Sequence, residues 1–63
     1  MNMELEKTVL AVITSNQSKV AGGAPIFICE KGEELELFAA NLEAIIDGIA
    51  HRLSDEVYII VKH

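Results

Sequence analysis

From Glu33 onward the apolar residues fall into helical spacing, and this stripe constrains the chain more than any other feature. Leu35, Phe38, Ala39, Leu42, Ile45, Ile46, Ile49, Ala50 and Leu53 share one arc roughly 140° wide at 100° per residue. The spacing predicts one helix of about 21 residues, near 30 Å long. Glu33, Glu34 and Glu36 stand in its first turn, and His51 and Arg52 in its last. The helix dipole favours both placements. Ser54-Asp55 ends the run.

Before the helix the pattern is that of strands. Thr8-Val9-Leu10-Ala11-Val12-Ile13-Thr14 is β-branched and apolar on both faces. Such a run fits a strand covered on both sides. Ser15 to Pro25 forms a connection too long for a tight hairpin. Ile26-Phe27-Ile28-Cys29 reads as a second strand, with Pro25 just ahead of it, where a missing N–H is tolerable. Glu56 to Lys62 reads as a third. The order is therefore β-β-α-β, an α+β class. It predicts a three-stranded mixed sheet of order 2-1-3, a split β-α-β arrangement, with one long helix on one face. A crossover through the helix makes the second and third strands parallel, with the first strand antiparallel between them. One domain spans 1–63, with 1–6 as a flexible N-terminus.

A chain this short buries only about 60% of its unfolded surface, so its own core is marginal. Small domains compensate with disulfides, a metal or association. Cys29 is the only cysteine, so no internal disulfide forms. Cys29, His51 and His63 are the soft metal ligands, and no pair of them has a metal spacing. No cofactor or metal is expected, which leaves association. The chain is 51% hydrophobic, more than one small core can hide. One helix covers one face of the sheet, and the other face must meet something. A symmetric homodimer, joined sheet against sheet or edge to edge, is the simplest solution.

Charge narrows the class of partner. The formal net charge is −5, and Lys7, Lys19, Lys31, Lys62 and Arg52 are scattered. Phosphate neutralisation needs clustered Lys and Arg, so nucleic acid and anionic membrane surfaces are not expected partners. The longest apolar run, Val9 to Ile13, is far too short to span a bilayer. The acidic N-terminus lacks a signal peptide's basic start. A cytoplasmic location is the expectation.

No set of catalytic residues emerges. Glu36, Glu43 and Asp47 flank the stripe as a solvated helix edge. Cys29 ends an apolar strand and lacks an adjacent base. Ser15, Ser18 and Ser54 lack the setting of an activated serine. Two features point to partner binding instead. The loop Val20-Ala21-Gly22-Gly23-Ala24 is unusually apolar for an exposed tip. Ala40, Ala44 and Gly48 recur every four residues, a small-residue ridge on the back of the helix that lets another helix approach. The alternative is a small-ligand or nucleotide-sensing domain, with Asn16, Ser18, Lys19, Gly22 and Gly23 at the mouth of an interchain cleft. Against it, the glycines lead into a strand and not into a helix N-terminus.

Four segments carry a family resemblance. They are Lys7 to Thr14, Lys19 to Phe27, Leu42 to His51, and Ile59 to His63. Together they resemble a family of very short proteins of endospore-forming bacteria, the capping-complex subunits for YIEGIA-domain membrane proteins. The resemblance covers most of the chain. It implies a non-catalytic accessory subunit that joins a membrane protein from the cytosolic side. It carries over no catalytic residues. The matching stretches include the Val20–Phe27 loop and strand and the Ala44–His51 segment.

Overall fold

The computed structural model describes residues 9–62. The expected flexible segment 1–6, together with Thr8 and His63, lies outside the described residues. The elements are β1 (Val9–Thr14), a 3-10 turn (Gln17–Lys19), β2 (Ile26–Ile28), α1 (Glu33–Ile45), β3 (Gly48–Ser54) and β4 (Val57–Lys62). They make an α+β fold with one helix and a four-stranded mixed sheet of order β2-β1-β4-β3.

The expected 2-1-3 order survives as β2-β1-β4, with β3 added outside β4. The strand directions need correction. β4 runs antiparallel to β1, as expected, but β2 runs parallel to it, pairing Val12 with Ile26 and Thr14 with Ile28. The connection between β1 and β2 is long enough to return the chain before β2 begins. The helical crossover from β2 ends at β3, not at β4. β3 pairs antiparallel with β4, so it is β2 and β3 that run parallel, with β1 and β4 between them.

The main correction is the length of the helix. It stops at Ile45 and not at Leu53. Thirteen residues make a helix about 20 Å long. Asp47 adopts a left-handed φ of 55°, which Asp tolerates better than most residues and which ends a helix. Gly48 then opens β3 and is buried. A Cβ there would lie 2.6 Å from Ile60 Cγ2 and 2.7 Å from the Val61 carbonyl oxygen. Only glycine lets the turn lie this close on β4. His51 and Arg52 therefore belong to an edge strand and not to a helix C-terminus.

Ile49, Ala50 and Leu53 fit a helix stripe and a strand equally well, because a short apolar run does not separate the two periods. Pairing decides between them. As a strand, the segment covers the outer edge of β4, which a continued helix would leave bare. The β3–β4 hairpin turns through Asp55-Glu56, with Ser54 Oγ accepting from the Glu56 N–H at 3.1 Å.

Register assigns the two faces. Ala11, Ala50 and Ile60 lie in one row, and Ile13, Phe27 and Tyr58 in the next. This face packs on Leu35, Phe38, Ala39 and Leu42 of α1 and on Ile46 just after it. Ile13, Leu35 and Ile60 are fully buried at its centre. The helix starts at Gly32, whose φ of 87° requires glycine. The Glu43 carboxylate accepts the Ala50 N–H at 2.9 Å and so ties the helix to the outer edge of β3.

Gly48→Ala tests this construction. The added methyl has a backbone carbonyl in its way, and overpacking of this kind costs about 1–3 kcal/mol. Urea denaturation should show that loss. A variant as stable as the parent would mean that β3 is not held this close to β4.

Candidate functional site

The candidate site is the sheet face that α1 does not reach. Val12, Ile26, Ile59 and His51 form one row across the four strands, and Val9, Val61 and Ile49 form the next. Ile26, Ile28, Ile49 and Leu53 are exposed, and Val9, Val12, Ile59 and Val61 are half-buried. His51 is the one side chain in these rows able to carry charge. A contiguous apolar surface of this kind is what makes this face the candidate site.

The loop after β1 closes one end of this face. Thr14, fully buried, is the anchor. Its hydroxyl donates to the Glu56 carbonyl at 2.8 Å and accepts from the Asn16 N–H at 3.0 Å. The Ser15 N–H donates to the same Glu56 carbonyl at 3.1 Å. These bonds join the end of β1 to the β3–β4 turn. The chain then carries Val20 and Ala21 back over the sheet, where they share a shallow hollow with Val12, Leu53, Val57 and Ile59. Ala21, Gly22, Gly23, Ala24 and Pro25 border a second hollow with Val9, Leu10 and Val12. The apolar loop is thus continuous with the open face.

The residues singled out in the sequence divide as follows. Val20, Ala21, Gly22 and Gly23 come together at the rim of the open face. Ala40 and Ala44 are exposed on α1. Gly48 is not on the helix, so the three do not form one ridge. Its small size serves the contact with β4. Among the alternative ligand residues, Asn16 Oδ1 accepts from Ser18 N at 3.2 Å and Ser18 Oγ at 2.7 Å, capping the 3-10 turn. Lys19 Nζ pairs with Glu56 at 3.2 Å. The hollow at Gly22 and Gly23 is bordered by apolar side chains alone.

Sequence reading missed Ile26, Ile28, Ile49, Leu53 and Ile59 as surface candidates. The helical stripe places Ile49 and Leu53 in the core instead. The available signal was the alternation Ile49, His51, Leu53, which is the period of a strand.

Acid–base or nucleophilic chemistry has little to work with among the described residues. No three His, Cys, Asp or Glu side chains gather there as a metal would need. The Cys29 thiol is pushed above its ordinary pKa, first by burial and then by the Glu34 and Glu30 carboxylates. Glu34 is held nearby because its carboxylate accepts the Glu30 N–H. Both effects disfavour the thiolate, which is the reactive form.

Three comparisons with known proteins complete this picture. The chain matches the family described as "Capping complex subunit for YIEGIA" over residues 6–63. It is 62% identical over 63 residues to protein YpzH of Bacillus subtilis (strain 168), covering 100% of this chain and 98% of that one. No solved structure matches. The chain belongs to the YIEGIA capping-complex subunit family.

Cys29 should alkylate more slowly at pH 8 than a free cysteine, because less of it is thiolate. Glu34→Gln should raise the rate. Timed iodoacetamide labelling with mass detection reads both. Labelling of the folded chain at the free-cysteine rate would contradict the environment described.

Proposed function

We propose that this chain is a non-catalytic interaction subunit. It works as a homodimer and presents its open sheet face to the YIEGIA membrane protein of the complex. The observation that carries this reading is the uncovered apolar face. One row, Val12, Ile26, Ile59 and His51, crosses all four strands, and a second, Val9, Val61 and Ile49, crosses three, with nothing from α1 over them. The family description supports a role in assembly with other subunits. No described helix is long and apolar enough to cross a membrane, so the contact with the bilayer would come through the partner.

The physical basis is the balance of apolar area. Strands of 6, 3, 7 and 6 residues, about 4.8 Å apart and rising about 3.3 Å per residue, give a face of about 350 Å². At about 25 cal/mol per Å², covering such a face contributes on the order of 10 kcal/mol before the costs of association. A domain of this size has strong reason to spend that surface on a partner. The loop Val20 to Gly23 borders the same face and extends it. Ala40 and Ala44, exposed on the opposite side of the molecule, are available to a second contact.

Two measurements test the reading. Sedimentation equilibrium of the free chain should give a concentration-dependent mass approaching twice 6.9 kDa. A stable monomer at high concentration would remove the homodimer. Leu53, 62% exposed on the open face, can be changed to Asp with an expected stability change within about 0.5 kcal/mol. Co-purification with the YIEGIA protein should fall about tenfold or more, as expected when a charge is buried unpaired. Undiminished binding would place the contact on another surface.

A further inference from the structure

The geometry points to antiparallel pairing of two copies along β2, about a two-fold axis at Phe27, to make one continuous eight-stranded sheet. This rests on the homodimer reading above and supplies its geometry. It covers the open face only along β2 and leaves the part over β1, β4 and β3 for the second partner.

Among the described residues the outer edge of β2 has no partner strand, and its bonds to β1 show which groups lie on it. The Val12 N–H donates to the Pro25 carbonyl at 2.9 Å, and the Cys29 N–H donates to the Thr14 carbonyl at 3.1 Å. Alternate residues of a parallel strand face its neighbour. Pro25, Phe27 and Cys29 therefore face β1, and the N–H and C=O of Ile26 and Ile28 face away from the sheet. An unpaired edge of this kind is a template for another strand.

The segment Ile26-Phe27-Ile28 reads the same in both directions about Phe27. Antiparallel pairing on that centre sets Ile26 against Ile28 of the second copy, where the two residues exchange N–H···O bonds. Phe27 meets its own counterpart on the helix side. No charged residue lies between Val20 and Cys29, so two chains of net charge −5 meet here without opposing like charges. The other edge is closed to this: on β3 the Ala50 N–H is already taken by the Glu43 carboxylate at 2.9 Å. A charged side chain over an edge is a common guard against strand addition.

A stable interface buries about 800 Å² per partner, more than three residues of edge provide. Apolar flanks on both sides of β2 make up the difference. Ile26 and Ile28 are 37% and 51% exposed on the open face. On the helix side, Phe27, Phe38, Asn41, Leu42 and Ile45 line a shallow hollow, and Ile45 is 73% exposed. The second copy would cover both flanks at once, which gives Ile45 an apolar neighbour that the single chain does not.

The test uses the full chain with two single variants, Ile28→Lys and Ile49→Lys. Both place a charge on the same sheet face, at opposite edges. Sedimentation equilibrium should show the dimer weakened about tenfold or more by Ile28→Lys and changed less than about twofold by Ile49→Lys. In the unmutated chain, hydrogen exchange at the Ile26 and Ile28 amides should slow as concentration rises, which decides the matter even if Ile28→Lys fails to fold. A dimer weakened equally by both variants, or one in which those amides exchange alike at all concentrations, overturns edge pairing and leaves the dimer reading standing. An unmutated chain that stays monomeric overturns the dimer reading itself, and edge pairing with it.

Discussion

A helix about 20 Å long covers one face of a sheet about 20 Å wide and no more. The rest of this structure depends on that limit. The covered face holds the core, where Ile13, Leu35 and Ile60 reach full burial. The uncovered face is built from the same apolar residue types, since β1 and β4 are apolar on both sides. A sheet of this kind normally belongs to a layered fold with cover on each face. Among the described residues, only the loop through Val20 and Ala21 reaches over this second face, at one end of it.

Fixing the sheet takes polar devices at both of its ends. At one end, the buried Thr14 hydroxyl joins the Glu56 carbonyl to the Asn16 N–H, which sets the β3–β4 turn against the start of the loop. At the other, the Asp47-Gly48 turn sends the chain from α1 into β3 with its backbone hard against Ile60 and Val61. Glu43 then fastens the outer edge of β3 to the helix. The device that holds β3 in place also shields its edge. In consequence the two edges of the sheet differ: β3 is guarded by a carboxylate, while β2 is short and apolar and has no partner strand among the described residues.

Much of this fold was legible in residue patterns. The β-branched runs marked β1, β2 and β4, and the change of period at Glu33 marked the start of the helix. The order of those three strands followed from β1 being apolar on both faces. The point of failure was Ile45 to Leu53. Ile46, Ile49, Ala50 and Leu53 continue a helical stripe in sequence, while Ile49, His51 and Leu53 alternate as a strand does. Local spacing gives both answers equal weight. The Asp47-Gly48 pair was the available turn signal, and the helical stripe running through it masked the turn. The same error hid part of the candidate site, because it placed Ile49 and Leu53 in the core. It also produced an apparent ridge of Ala40, Ala44 and Gly48 that no single helix carries.

By itself the sequence determined the α+β class, the apolar excess, the lack of clustered basic charge and the family resemblance. These depend on composition and on short-range periodicity, which do not change with how the elements meet. Only the tertiary structure decided where the helix ends, which way β2 runs and which apolar residues remain uncovered. Those outcomes turn on long-range pairing: the open edge of β4 needed a strand, and the segment after Asp47 was the one within reach. The sheet face left open, visible at first only as an excess of Val and Ile, thereby acquired definite residues and a definite border.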